Sequence, residues 1–453
     1  MEFQFVTVAQ VDLKGKKVLC RLDLNSPVDD QKKLKDDLRI KASSATVKAL
    51  KDTALVILAH QGRFGEKDFI PLKQHAEKLA QYVKPQKVTF VDDLYGEKAI
   101  KAIKALKVGE VLVLDNVRNF RPDNDEVPID DCGKTDLVMK LAPLFDYFVV
   151  DAFGAAHRAQ PSVVGWPRIL AGPVVVKELK ALKKGFDDPQ HPVVMLVGGA
   201  KAIDKYKAIK YNLENKVVDK VLVAGLTAQL IFEGTGRMLG DANRSLVEKD
   251  LDKAGPRVIP FWKAYKDKIV LPVDFAVEKD GKRVEIALKD ALKTNLPIMD
   301  VGPKTVALFK KEILAAKTVI ANGPPGVFEK PLFAKSTNDL IDAMATATAN
   351  GAYTIIGGGE FGEAAEKSGK ASKISWISTG GGAMLEFMAG KWLPLFIALE
   401  RSADKFPEAH EAVEEEEPAV EEQPEEQAEE QPEEQAEEQP EEQAEEQPPE
   451  DEQ

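Results

Sequence analysis

Three times in the last third of the chain a short β-like run ends in clustered glycines. The stretches are Val-Ile-Ala-Asn-Gly-Pro-Pro-Gly at 319–326, Tyr-Thr-Ile-Ile-Gly-Gly-Gly-Glu at 353–360 and Trp-Ile-Ser-Thr-Gly-Gly-Gly-Ala at 376–383. Glycine lets a backbone turn sharply and come close to a ligand. The last two stretches continue into helix-like sequence. A helix N-terminus behind such a turn offers free N–H groups and a partial positive charge to a phosphate. Several of these turns at the carboxyl ends of strands describe a crevice for a polyphosphate.

The rest of the chain alternates in the same way. Residues 17–24 read as a strand, 37–50 as an amphipathic helix and 54–58 as a strand, followed by a loop at 60–66 and a helix at 72–82. Strands follow at 111–114 and 147–150, and the pattern restarts with strand 193–197, helix 204–216 and strand 220–223. This alternation predicts an α/β fold with parallel sheets buried on both faces. At 453 residues two large domains are expected. Between them, 166–184 holds Pro167 and Pro173 and then a helical run carrying Lys177, Lys180, Lys183 and Lys184. We read it as a connecting helix; an ordinary crossover helix is the competing reading.

The formal charge of −13 misleads. Residues 407–453 contain no Lys or Arg and 23 acids; without them, 62 basic side chains face 52 acidic ones, a net of +10. A basic body suits an anionic substrate. No Lys/Arg run with interleaved aromatics supports nucleic acid as the partner. The tail repeats Glu-Glu-Gln-Pro-Glu-Glu-Gln-Ala, too polar and too charged to bury anything, and is expected to be a disordered solubilising segment. A docking tail for a basic partner is the alternative. Two cysteines, Cys20 and Cys132, exclude a disulfide framework and point to a reducing, cytoplasmic compartment. No apolar run reaches 18 residues, so neither a membrane span nor an export signal is expected.

Cations stand where the first strands end. Asp23-Leu24-Asn25 closes the first strand, Arg39 opens the next helix, and His60-Gln61-Gly62-Arg63 follows 54–58. Arg118 follows 111–114, and His157-Arg158 follows 147–150. Guanidinium forks match carboxylate and phosphate geometry, so a small acid carrying both groups fits the cluster. In the second half, Gly198-Gly199-Ala200-Lys201 follows strand 193–197, with Lys205 one turn on. A lysine there can hold a terminal phosphate as a point charge. No G-x-x-x-x-G-K-[ST] occurs, which excludes a P-loop. Gly357-x-Gly359-x-x-Gly362 lacks the acid that a dinucleotide fold needs about 20 residues on; Thr379-Gly380 stand there. No nucleophile–base–acid set and no paired His or Cys metal motif stands out. Phosphoryl transfer needs neither, since it rests on positioning and charge neutralisation.

Eight stretches, in order, make the chain resemble the phosphoglycerate kinase family over roughly residues 17–399. They begin at Arg21-Leu22-Asp23-Leu24-Asn25, Asp36-Asp37-Leu38-Arg39, His60-Gln61-Gly62-Arg63, Asp115-Asn116-Val117-Arg118, Asp151-Ala152-Phe153-Gly154, Gly198-Gly199-Ala200-Lys201, Asn322-Gly323-Pro324-Pro325 and Ser378-Thr379-Gly380-Gly381. The stretch Ala156-His157-Arg158-Ala159-Gln160-Pro161-Ser162 looks most like the archaeal branch. The resemblance implies two Rossmann-like three-layer lobes joined by a hinge helix: 1–165, completed by about 385–406; the hinge at 166–184; and 185–384. Residues 407–453 form the tail. It implies reversible, Mg2+-dependent transfer of the acyl phosphate of 1,3-bisphosphoglycerate to ADP, giving ATP and 3-phosphoglycerate, in glycolysis and gluconeogenesis. The acid would be held by Asp23, Leu24, Asn25, Arg39, His60, Gln61, Gly62, Arg63, Arg118 and Arg158. The nucleotide would be held by Lys201, Lys205, Asn322, Glu329, Gly358, Gly359, Glu360 and Phe361. Arg39, Lys201 and the backbone at Gly380 and Gly381 would flank the moving phosphoryl group. The segment at about 385–401 would cross back to the first lobe.

Several positions depart from the family pattern. Glu360 stands where the family usually has the Asp that binds magnesium; one more methylene favours a water-bridged contact over direct ligation. Ala224-Gly225-Leu226 replaces a glycine-richer stretch beside the adenine pocket, with consequences for base selectivity. Two other readings remain at this point: a catalytically weak nucleotide-binding relative that serves as a scaffold, and a carboxyl kinase acting on another acid.

Overall fold

A computed structural model describes residues 5–406. Its framework is two six-stranded, all-parallel sheets and one small antiparallel sheet. The first sheet comprises β1 (Lys17–Leu22), β2 (Ala54–Leu58), β3 (Lys87–Phe90), β4 (Glu110–Val113), β5 (Tyr147–Asp151) and β6 (Ile169–Ala171), in the order β3-β4-β2-β1-β5-β6. The second comprises β7 (Val193–Val197), β8 (Lys220–Val223), β9 (Ile269–Val270), and β13 (Thr318–Asn322), β14 (Tyr353–Ile356) and β15 (Trp376–Ile377), in the order β15-β14-β13-β7-β8-β9. Between β9 and β13 lie β10 (Asp274–Lys279), β11 (Lys282–Ala287) and β12 (Ile298–Val301) of the antiparallel sheet.

Continuous apolar runs such as Ala54–Leu58 and Val193–Val197 are buried along their whole length because helices cover both faces. Alternate side chains of one strand feed different cores. From β1, Val18, Cys20 and Leu22 enter a core on one face, while Leu19 enters a central core on the other. Val193, Met195 and Val197 reach that same central core, and Val194 and Leu196 a third. The central core thus runs from one sheet to the other. It includes Val175, Leu179 and Leu182 of the helix Pro173–Phe186, which packs on β5 of the first sheet and on β13 and β14 of the second.

Three features differ from the sequence expectation. The segment around 385–401 is two helices, Gly381–Met388 and Pro394–Ala403. Gly390, with φ 77°, and Pro394 break it, since neither continues a helix without cost. The second piece packs on β6, and its Leu395 N–H donates to the Ala156 carbonyl at 3.1 Å. The stretch before the connecting helix contains β6. The antiparallel sheet had no counterpart in the sequence reading. The expected tail at 407–453 lies outside the described residues.

Asp151, at the end of β5, anchors the connecting helix. It is 2% exposed, accepts the Val175 N–H at 2.9 Å through Oδ1, and accepts the Thr46 hydroxyl through Oδ2. Burial raises its pKa to about 6 against the pull of those donors. A folded-state pKa above the unfolded one means the ionised form costs stability, so this group's contribution falls as pH rises from about 4 to 6. Chemical denaturation of Asp151→Asn should show a flatter pH dependence than the parent across that window. Asp151→Ala, which removes the cap, should cost about 1–3 kcal/mol throughout.

Candidate active site

The carboxyl ends of β1, β2, β4 and β5 gather the cations. Asp23, directly after β1, accepts Arg39 Nη1 at 2.8 Å and the Asn25 N–H at 3.2 Å; the Asn25 carboxamide accepts the Gly62 N–H at 2.8 Å. Burial pushes the Asp23 pKa up, but Arg39 above all, with Arg21 and the Asn25 N–H, outweighs it and holds the carboxyl below its ordinary value. The Arg39 side chain, anchored at one end, is still 38% exposed and open to a ligand.

Arg63, Arg118 and Arg158 line one cavity of about 760 Å3, together with Arg121 and Gln160. Arg118 is buried, and its Nε has no hydrogen-bond partner. Burial first, then the charges of Arg158 and Arg21, lower its pKa to about 10. A desolvated guanidinium with an unpaired donor is a site for an anion.

Arg21, within β1, escaped the sequence reading. It is 1% exposed. Its Nε donates to Ser162 Oγ at 3.1 Å, and the Ser162 hydroxyl donates to Asp123 Oδ2 at 2.7 Å. Arg21 Nη2 stands 3.1 Å from His60 Nδ1. A guanidinium only donates, so His60 Nδ1 accepts and the ring proton sits on Nε2. Burial, reinforced by Arg21, holds the His60 pKa well below its ordinary value, consistent with that neutral form. The signal was available: an arginine inside an apolar strand must have buried partners.

Leu24 and Gln61 sit beneath the site. Leu24 is buried in a core. Gln61 braces both backbone groups of Ser26, at 2.9 Å each, and meets His75 Nε2 at 2.9 Å. Gly62 turns with φ 65° against the Asp68 backbone, where a side chain would collide.

On the second sheet, Lys201 follows β7 in the left-handed region, φ 59°, a strained conformation for a residue with a side chain. Lys205, one turn on, is buried and donates from Nζ to the Gly198 carbonyl. Burial, opposed by Glu360 and aided by Lys201, lowers its pKa to about 8. Lys201, Lys205, Asn322, Gly358, Gly359, Glu360, Phe361 and Gly381 share a cavity of about 190 Å3. Asn322 ends β13 with its amide against Gly357, and the Phe361 side chain is fully buried in the core below. Glu329 is elsewhere, on the wall of a mostly apolar cavity of about 290 Å3 with Leu226, Leu246, Phe275, Ile298 and Met299.

These cavities form a run. Ala200 and Glu360 line both the apolar cavity and the glycine cradle. Lys201, Gly382 and Leu385 line both the cradle and a smaller cavity of about 90 Å3 walled by His157. His157 Nε2 accepts from Arg158 Nε at 3.2 Å, which reaches the arginine cavity. The third glycine turn sits at this junction: a Cβ on Gly382 would come within 3.2 Å of His157, and one on Gly381 within 2.8 Å of the Gly358 carbonyl. Glu178 of the connecting helix, fully buried, holds the turn by accepting the Thr379 N–H and hydroxyl at 2.6 and 2.7 Å and Trp376 Nε1 at 3.0 Å. Sequence reasoning missed Glu178 and His157's place as the link. Among the described residues no three carboxylate, histidine or cysteine side chains converge on one point. A metal in the cradle would therefore rely on Glu360, on water and on ligand oxygens.

The phosphoglycerate kinase family profile matches residues 8–391. The phosphoglycerate kinase of Methanococcus maripaludis is 42% identical over 414 residues, covering 88% of this chain and 99% of that protein. The crystal structure of phosphoglycerate kinase from Pyrococcus horikoshii superposes with a TM-score of 0.83 at 36% identity, covering 88% of this chain and all of that one. That of Coxiella burnetii gives 0.70 at 32% identity, with 88% of this chain and all of that chain covered.

Because Lys205 is lowered to about 8, it is partly deprotonated in slightly alkaline solution, and a phosphate beside it restores its charge. Calorimetry of ADP binding near pH 8.5, in buffers of different ionisation enthalpy, should record proton uptake. Lys205→Met should abolish it.

Proposed function

The chain belongs to the phosphoglycerate kinase family, and from that premise we propose how its own residues divide the reaction. Members of this family are phosphotransferases that use ATP and ADP. The arginine cavity takes 3-phosphoglycerate or its acyl phosphate, the glycine cradle takes the nucleotide's phosphates, and the apolar cavity takes its nucleoside. The observation that carries this assignment is a series of three cavities that share lining residues from Glu329 to His157, with Lys201 and the third glycine turn at the junction, and the His157–Arg158 hydrogen bond that links them to the arginine cavity. The scaffold reading is not favoured, since the family match spans most of the chain and its relatives are named as kinases.

Arg63, Arg118 and Arg158 pair with the phosphate and carboxyl ends of the acid, and His60 offers its Nε2–H to an acceptor on it. Arg39, steadied by Asp23, and Lys201 approach the phosphoryl group from opposite sides. A terminal phosphate oxygen of ADP forms a bond to the phosphorus as the bond from phosphorus to the carboxyl oxygen breaks. The leaving carboxylate keeps the electron pair and needs no proton, so no general acid is required. The N–H of Gly381 meets an equatorial oxygen, where charge builds in the transition state, while the Gly380 N–H donates to Ser378 Oγ at 3.2 Å and braces the turn instead. Closure of the two halves about the connecting helix would exclude water from the transfer.

Glu360 fits a magnesium site as the exposed carboxylate at the cradle's edge, because Mg2+ is commonly bound through one or two carboxylates plus phosphate oxygens and water. Bound there, the ion neutralises charge on the nucleotide's phosphates. The two cysteines are free and buried, and no helix among the described residues is long and apolar enough to cross a membrane; we assign the protein to the cytoplasm.

A coupled assay of ATP formed from ADP and 1,3-bisphosphoglycerate tests the reading directly, and absence of turnover would refute it. Arg39→Ala and Lys201→Ala should each lower kcat by about 10²–10³-fold with the fold intact by circular dichroism. Near-normal turnover in either would remove that residue from the transfer step. Glu360→Gln should raise the Mg2+ concentration for half-maximal rate by about tenfold and leave KM for the acid unchanged.

A further inference from the structure

The wall of the apolar cavity holds a buried, unpartnered polar group that the reaction does not use. Gln229 lies on the helix Gly225–Gly234, one turn after Gly225 and Leu226, and all three line the cavity. Its residue exposure is 3%, and its Oε1 is buried with no hydrogen-bond partner. An acceptor left unpaired among apolar walls lowers the stability of the empty protein, and a donor on a ligand would satisfy it. The other polar side chains on the wall are committed or peripheral. Asp300 accepts Arg283 Nη1 at 2.7 Å and the Val301 N–H at 2.9 Å, while Glu329 and Glu360 are exposed.

Resting on the nucleotide assignment above, we propose that Gln229 is a specificity residue that reads the exocyclic amino group of the adenine base. A carboxamide matches adenine because it accepts from the amino group while donating to the adjacent ring nitrogen. A purine without that amino group leaves Oε1 unpaired. The neighbouring surfaces, Leu226, Phe275, Ile298 and Met299, supply apolar contact that is indifferent to base identity. Discrimination therefore falls to the amide.

The test compares equilibrium binding of ADP with that of purine riboside 5′-diphosphate, which lacks only the amino group. The parent protein should prefer ADP by about tenfold. Gln229→Met, close in shape but apolar, should bind ADP more weakly than the parent does and should bind ADP and the analogue equally, because the preference for the amino group goes with the carboxamide. Its melting temperature should hold or rise, because an unpaired buried acceptor has been removed; a purely structural glutamine would lower it. Equal binding of the two ligands by the parent overturns the proposal whatever the variant does, as does a full preference for ADP retained by Gln229→Met. Either result leaves ATP formation by the parent untouched. A parent that binds neither ligand instead overturns the nucleotide assignment and this inference with it.

Discussion

Repulsion among guanidinium groups is the term the rest of the first sheet must oppose. Burial and the charge of Arg158 lower both Arg21 and Arg118, and Arg118, which also feels Arg21, is brought down to about 10. Strand register fixes them: β1 delivers Arg21, the turn after β4 delivers Arg118, and the turn after β5 delivers Arg158. Two acids limit the cost. Asp23 takes Arg39, and Asp123 reaches Arg21 through the Ser162 hydroxyl. The acids are fewer than the cations, which leaves an excess of positive charge around the cavity. On the assignment we propose, phosphate and carboxylate groups in the cavity would relieve that repulsion.

On the second sheet the equivalent constraint is steric. Gly358 and Gly381 meet backbone to backbone, and Gly225 has a positive φ against the Gly199 amide, where a Cβ would collide. These contacts bring the backbones of several turns to one place, which no residue with a side chain would permit. Charge is sparse by comparison: Lys201, Lys205 and Glu360 share the cradle. One half presents guanidinium forks and the other glycine turns, a division that suits the compact acid and the long polyphosphate we propose for them.

Most of this was legible in the sequence. Strands 54–58, 193–197 and 220–223 stand where the apolar runs put them, and the glycine turns and Arg63, Arg118 and Arg158 line cavities as their positions at strand ends require. Short pieces were lost. The strand β6 has three residues, too few to show a period. The β10–β11 hairpin did carry a signal: Asp280-Gly281, both with positive φ, form the two-residue turn that such sequences favour. That hairpin belongs to the sheet that supplies Phe275, Ile298 and Met299, so the apolar cavity was the part least visible. Arg21 and Glu178 were missed for a different reason. Each acts through partners 39 to 201 residues away, and a single sequence holds no record of such pairings.

The connecting helix gains its importance from those distant pairings. Asp151 caps its first turn from a strand whose continuation carries His157 and Arg158. Glu178, near its middle, holds Thr379 at the base of the third glycine turn. Burial raises the pKa of Glu178, and the Thr379 and Trp376 donors work against that rise, so the carboxyl depends on its hydrogen bonds as much as the turn depends on it. Gly185, two turns further on, lies so near Ile355 that a methyl group there would collide. A single rigid rod is thus tied at one end to the arginine cavity and further along to the glycine cradle. On the division of the site we propose, a tilt of the rod about either tie would change the gap that the phosphoryl group must cross. A carboxyl kinase that lacks a catalytic base has little else to adjust, because its rate depends on how closely two charged half-sites are held in line.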